Sequence, residues 1–313
     1  MASRLRSLGR WPPGFRPHKI RSMAFDIDLP DLRVRQGSRV RLKSIDTDST
    51  GSYESKDVAE KHLKKGVEEL RRLQEMLYAQ DQQALLLVFQ AMDGAGKDST
   101  IEHVMSGVNP QGCQVFSFKA PSSEELDHDF LWRAARCLPE RGRIGIFNRS
   151  YYEETLVVRV HPEYLDKQRL PRELATDRIW DHRFEDIRNW EKYLVRNGTV
   201  VRKFFLHVSP DEQKRRLLDR LKEPEKNWKF QAGDVKERAL WDDYMRAYED
   251  MLGGTSTTYA PWHIIPADHK WFARLAVADI IINTLRSMKV GYPKVSRETR
   301  AGLEVAKQSL ETE

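Results

Sequence analysis

One stretch constrains this chain more than any other: residues 85–100, LLLVFQAMDGAGKDST. An apolar run stops at a glycine-bearing turn, and a lysine and small hydroxyl residues then open an amphipathic helix. An apolar run of this kind reads as a strand buried on both faces. Small residues in the turn let backbone N–H groups converge, and the helix that follows aims the positive end of its dipole at the same point. Lys97 adds a point charge that reaches over a bound phosphate. A plain strand–turn–helix, with glycines serving only the turn, leaves Lys97, Asp93 and Asp98 unexplained in one tight corner.

The stretch departs from the standard phosphate loop, GxxxxGK[ST], in two places. Gly96 and Lys97 fit, but Ala91 stands at the first glycine and Asp98 replaces the hydroxyl residue that ordinarily meets magnesium. Another group must then hold the metal, and Asp93, inside the loop, is the nearest carboxylate. The backbone amides of residues 94–99, from Gly94, Ala95 and Gly96 through Lys97, Asp98 and Ser99, form the expected phosphate cradle.

The 313 residues have room for one large α/β domain or two small ones. Apolar residues make up 40 %, enough for a substantial core, and no apolar stretch is long enough to span a membrane. The net charge of +6 misleads until it is located. Residues 1–22 carry Arg4, Arg6, Arg10, Arg16, Lys19 and Arg21 with no carboxylate, and those six cations account for the whole excess. A polyanion site in the remainder must therefore be a local cluster. The arm lacks the apolar segment of a secretory signal, and Pro12, Pro13 and Pro17 spoil the amphipathic helix of a transit peptide. It reads as a disordered extension, or as a mis-assigned start with Met23 as the native one. Cys113 and Cys137 are the only cysteines and read as packed thiols; a reducing, cytoplasmic setting is expected.

Along the chain, residues 23–55 read as an irregular N-terminal segment. Val58, Leu63, Val67, Leu70, Leu73 and Leu77 predict an amphipathic helix over 56–80. Strands are expected at 85–90, 113–118, 144–147, 200–208 and 262–265. Helices are expected at 99–106, 122–137, 171–196 and 271–288, with Ser209 capping another, and residues 291–313 read as a tail. This alternation predicts an α/β fold with a largely parallel sheet flanked by helices. In such sheets ligands bind beyond the carboxyl ends of the strands. That rule puts Asp93, Lys97, Lys119, Asn148 and Arg149 on one rim.

Residues from about 211 to 250 are helical in composition and dense in both charge signs. They hold Arg215, Arg216, Arg220, Lys226 and Lys229, interleaved with Trp228, Phe230 and Trp241. This is expected to be a helical lid; a solvated hairpin has little use for those aromatics. Arg149 at a strand tip and Arg133 in HDFLWR offer planar forks for phosphate. At about 4 Å and a surface-like dielectric, two unit charges interact by roughly 4 kcal/mol. Several cations thus outweigh the ~0.3–1 kcal/mol of a helix terminus. The strand at 144–147 ends in Asn148 where an aspartate is usual, so Glu153 and Glu154 join Asp93 as candidate metal carboxylates.

Five segments, the first of them including the loop, resemble the type-2 polyphosphate kinases, in particular those that phosphorylate both AMP and ADP: QAMDGAGKDSTIEHVMSGVNPQG, SFKAPSSEELDHDFLWR, GIFNRSYYEETLVVRVHPE, EKNWKFQAGDVKER and STTYAPWHIIPADHKW. The resemblance spans about residues 42–288. It implies a P-loop kinase fold similar to thymidylate kinases, a domain over about 56–290 and a basic channel for polyphosphate. By position, Asp93 and Lys97 become the loop pair, Arg149 the arginine beside the second strand, and Arg133, Lys226 and Lys229 the lining of the phosphate path. Asn148 fits the AMP/ADP group, whereas Ser99 and Glu154 stand where glycine and aspartate are more usual. The expected activity is phosphoryl transfer from polyphosphate to AMP or ADP, giving ADP or ATP, with magnesium or alternatively manganese, in a homo-oligomer. An ATP-dependent nucleoside monophosphate kinase is the enzymatic rival, and a polyanion-binding protein the non-enzymatic one; no nucleic-acid module and no membrane partner are expected.

Overall fold

Ala84–Gln90 forms the central strand β1, and all seven residues are buried. Around it the computed structural model arranges Cys113–Ser117 (β2), Ile144–Asn148 (β3), Thr199–His207 (β4) and Trp262–Pro266 (β5). All pairings are parallel, in the order β2-β3-β1-β4-β5. Side chains alternate along β1: Leu85, Leu87 and Phe89 enter one core, Leu86 and Val88 the other. The first core is closed by α1 (Lys56–Gln80), α2 (Lys97–Val104) and α7 (Lys270–Ser287), the second by α3 (Ile179–Arg196) and α6 (Trp241–Thr255). Between β4 and α6 lie α4 (Pro210–Lys222), a 3₁₀ turn at Pro224–Lys229 and α5 (Ala232–Ala239), which with the start of α6 occupy the stretch 211–250 expected to be a lid. A last helix, α8 (Arg297–Glu311), has no buried residue. This is the P-loop kinase type of α/β architecture expected from the sequence. Residues 20–21, 28–29, 31–53, 55–229 and 232–312 are described. The basic arm, residues 1–22, lies outside them except for Ile20–Arg21, which pairs antiparallel with Asp28–Leu29.

Three elements differ from expectation. The helix over 122–137 is two single turns, Ser123–Leu126 and Trp132–Ala135. Asp129 separates them, because its carboxylate accepts from the Leu131 amide at 2.9 Å and its carbonyl from the Trp132 amide at 3.1 Å. Such local bonds offer the backbone an alternative to the helical ladder. The helix expected from 171 begins only at Ile179. Helix α2 begins at Lys97, two residues before the expected Ser99.

Residues 31–53 have little regular structure, yet they are packed. The Val34 amide donates to Trp262 O at 2.8 Å and the Ile264 amide to Leu32 O at 2.9 Å, an antiparallel bridge along the free edge of β5. Leu32, Val34, Leu42 and Ile45 are buried, and Glu249 of α6 accepts from the Leu42 amide at 2.7 Å. The segment therefore covers an edge that would otherwise offer unpaired backbone groups. Among the described residues no helix is long and apolar enough to cross a membrane. Leu42→Ala should lower unfolding stability by about 2–5 kcal/mol, the usual result of truncating a buried leucine. An unshifted denaturant midpoint would show that this segment is not part of the core.

Candidate active site

The loop after β1 takes its shape from two glycines. Gly94 (φ 81°) and Gly96 (φ 99°) occupy left-handed backbone that a side chain would strain, and Gly96 caps α2. Lys97, the first residue of that helix, is 8 % exposed. Its Nζ donates to Ala91 O at 2.7 Å and lies 4.0 Å from Asp93 Oδ1. Burial, reinforced by the nearby Arg149 charge, pushes the Lys97 ammonium down to about 8.

Arg149 reaches the same corner from β3. It follows the last strand residue with φ 60°, a left-handed conformation that costs a non-glycine residue roughly 1–2 kcal/mol. Its amide donates to Phe89 O at 3.0 Å, which pins the turn to the end of β1. Its guanidinium donates to Asp93 Oδ1 at 2.5 Å and to Glu153 Oε2 at 3.2 Å. Burial alone would raise the Asp93 carboxyl, but Lys97 and Arg149 outweigh it and hold the group below its usual range. Glu153, chiefly, and Asp93 keep Arg149 firmly charged. Asp93, Lys97, Arg149 and Glu153 thus form one contact group at neighbouring strand ends. Asn148 joins its edge, donating to Asp98 Oδ1 at 2.6 Å.

The remaining candidates fall elsewhere. Arg133 is buried, donates to Lys119 O at 2.8 Å and stacks over Phe118 at 5.4 Å, with Glu125 at 3.9 Å. Glu154 turns away from the Asp93 group into a buried pair with Arg183 at 3.1 Å and accepts from Gln168 at 2.6 Å. Burial raises its carboxyl against the pull of Arg183. Arg133 and Glu154 line a small cleft with Glu125, Phe130 and Gln168. The carboxylates expected to share a metal therefore divide: Arg149 gathers Asp93 and Glu153, and Arg183 removes Glu154. Among the described residues no group of three or more His, Cys, Asp or Glu is placed around a common point. The side chains of Lys226 and Lys229, and Phe230 altogether, lie outside the described residues.

In the lid, Arg216 has a role that the sequence reading missed. It is 5 % exposed and donates to Gly94 O at 3.3 Å, Ala95 O at 2.8 Å, Ala267 O at 2.6 Å, Asp268 O at 3.0 Å and Glu212 Oε1 at 2.6 Å. Gln213 donates to Asp93 O at 2.8 Å. These two side chains tie the base of the lid to the loop and to the end of β5. The signal was present in the sequence: Gln213, Arg216 and Leu217 fall on one helical face, and all three are buried. Arg215 pairs with Glu212 and Asp219, and Arg220 with Asp234 at 3.4 Å. Farther out, Glu237 of α5 is held by His161 at 2.9 Å and Tyr244 at 2.5 Å.

With this geometry in place, three comparisons bear on it. The residue pattern of the polyphosphate kinase 2 family matches residues 53–293. An ADP-polyphosphate phosphotransferase of Rhodopseudomonas palustris is 52 % identical over 285 residues, covering 91 % of this chain and 99 % of that protein. An AMP/ADP-polyphosphate phosphotransferase of Meiothermus ruber is 44 % identical over 267 residues, covering 85 % and 96 % respectively. The crystal structure of a polyphosphate kinase 2 from Arthrobacter aurescens TC1 superposes with a TM-score of 0.81 at 39 % identity, covering 88 % of this chain and 95 % of that one.

The lowered Lys97 value has a measurable sign. With a value of about 8, the ammonium is about half deprotonated at pH 8, and an adjacent phosphate anion drives it back to the charged form. Titration with tripolyphosphate at pH 8 should therefore take up about half a proton per site, read from binding heats in buffers of different ionisation enthalpy. The uptake should vanish in Lys97→Met and shrink towards pH 6.5. Equal uptake in the variant would assign the proton to another group.

Proposed function

The chain belongs to the polyphosphate kinase 2 family, and from that premise we propose that it transfers the terminal phosphoryl group of inorganic polyphosphate to AMP and to ADP. The observation that carries this reading is the Asp93–Arg149 contact at 2.5 Å, which joins the phosphate loop to the tip of the next strand beside Lys97. A phosphate chain laid there meets Lys97 and the amides of residues 94 and 96–99 on one side and Arg149 on the other; the Ala95 amide, expected in the cradle, instead donates to Met92 O at 3.2 Å. The oxyanion of the nucleotide's terminal phosphate attacks the end phosphorus of the donor. A new P–O bond forms as the bridging P–O bond breaks, and the electron pair leaves with the shortened polyphosphate.

The attacking oxygen is already anionic, so the reaction needs alignment and charge stabilisation rather than a strong base. Lys97 and Arg149 supply charge where it accumulates on the transferring oxygens. Asp93 orients Arg149 and holds it against the phosphate loop. The residues also suit a divalent metal, magnesium or alternatively manganese. One or two carboxylates with phosphate oxygens and water form magnesium's usual oxygen shell. Asp93 and Glu153 are the residues that would hold it, and it would neutralise charge on the phosphate chain. A polyphosphate donor agrees with the names of both relatives, and acceptors down to AMP with that of the Meiothermus ruber one.

The test is a donor–acceptor matrix: polyphosphate or ATP against AMP, ADP, GMP and GDP, with magnesium and with chelator. ATP should appear from ADP and polyphosphate and disappear with chelator. Transfer only from a nucleoside triphosphate would favour a nucleoside monophosphate kinase, and binding without turnover a polyanion-binding protein. Asp93→Asn should lower kcat by about a hundredfold while leaving the KM for ADP within about twofold. Unchanged kcat would remove Asp93 from the transfer step.

A further inference from the structure

Behind the turn that presents Arg149 and Glu153 lies a buried ionic cluster that phosphoryl transfer, as described, does not use. Lys203 of β4 and Glu191 of α3 are both 0 % exposed and meet at 2.6 Å. The Lys203 ammonium also donates to Tyr152 Oη at 2.8 Å and Thr255 O at 2.9 Å. The other Glu191 oxygen accepts from Tyr151 Oη and Tyr152 Oη, each at 2.8 Å. Thr255 receives the Trp262 indole N–H at 2.9 Å, and the Tyr152 ring meets Trp262 edge-on with centroids 4.8 Å apart.

Two features connect this cluster to the site. First, Tyr151 and Tyr152 are adjacent, and neighbours in an extended strand would point to opposite faces. Both reach one carboxylate because residues 151–155 form a 3₁₀ turn. Glu153 belongs to that same turn, and Arg149 lies two residues before it. Second, the turn is tied at its other end: Ser150 Oγ accepts from the Tyr152 amide at 3.1 Å and from Gln90 Nε2 at 3.2 Å, where Gln90 is the last residue of β1. Arg149 immediately precedes these anchors, its own amide tied to Phe89 O, in left-handed backbone that only a firmly held surrounding maintains. A buried ion pair is weak evidence for stability, since apolar residues of similar volume often serve as well. What it supplies here is a fixed geometry.

We propose that Glu191 and Lys203, acting through the paired hydroxyls of Tyr151 and Tyr152, are positioning residues that set the Arg149–Glu153 turn and thereby aim the Arg149 guanidinium at the phosphate loop. None of the four touches substrate. The inference rests on the transfer reaction proposed above, and its test has one arm that does not. Tyr152→Phe removes the hydroxyl that bridges Lys203 and Glu191 and keeps the ring against Trp262; Tyr151→Phe removes the second donor alone. Each is assayed with polyphosphate and ADP well below its own thermal midpoint, in the natural chain and in an Arg149→Lys background. The expected result is a kcat lower by about ten- to a hundredfold with an unchanged KM for ADP. In the Arg149→Lys background the same change should cost little more, since residues that act through one another are not additive. A lowered thermal midpoint with intact kcat would reduce the cluster to a brace, and equal losses in both backgrounds would overturn the route through Arg149. A crystal structure of Tyr152→Phe decides independently of activity: the Arg149–Asp93 contact should lengthen or break, and its retention overturns the proposal. Failure of the natural chain to make ATP would strike the proposed function, with the structural arm still deciding this one.

Discussion

Cations packed closely enough to grip a chain of phosphates repel one another, and carboxylates set between them make that packing tolerable. At about 4 Å the direct attraction of two unit charges is roughly 4 kcal/mol at a surface-like dielectric, from which the cost of taking them out of water is subtracted. Asp93 fills this role here. It faces Lys97 on one side and Arg149 on the other, while Glu153 takes the second arm of the same guanidinium. The consequences run in opposite directions for the two cations. Arg149 is held charged by two acids, whereas Lys97, more deeply buried and beside Arg149, is brought within reach of neutral pH. One arginine serves as a permanent charge and one lysine as an adjustable one.

One departure in the phosphate loop and one at the end of the neighbouring strand turn out to be a single arrangement. The helix carries a carboxylate, Asp98, where a hydroxyl is usual, and the neighbouring strand ends in an amide, Asn148, where a carboxylate is usual. The amide donates to the carboxylate at 2.6 Å. An acid on both sides would repel, so the exchange of acid and amide keeps the two strand tips joined. The two residues were each visible as anomalies in the sequence, but their complementarity needs the register of β1 and β3.

Legibility followed the range of the forces involved. The five strands could be read because each is a short apolar run closed by a turn, and the loop because its glycines and lysine are consecutive. Residues brought together over long sequence separations could not be read. Glu153 and Glu154 are neighbours with the same charge, and only the position of Arg183 on α3 decides that one faces the site and the other a buried pair. Arg216 looked like one of many lid cations, though its main-chain partners lie about 50 and 120 residues away. The segment 31–53 looked irregular because it has no period of its own and takes its order from the edge of β5. The broken helix at 122–137 failed for a local reason, since Asp129 competes for backbone donors that periodicity alone assigns to the helix.

The saturation of Arg216 limits how the protein can breathe. Five acceptors on three different segments hold its guanidinium, so the first turns of α4 are in effect welded to the phosphate loop and the end of β5. Beyond that anchor α4 ends at Lys222, and Pro224 begins a new direction. Among the described residues α5 is held by Glu237 with His161 and Tyr244, by Asp234 with Arg220, and by Arg238 with Pro210 O and Gln213 Oε1. The base of α4, in contrast, shares backbone acceptors with the phosphate loop itself, so the loop and the start of α4 keep one common geometry.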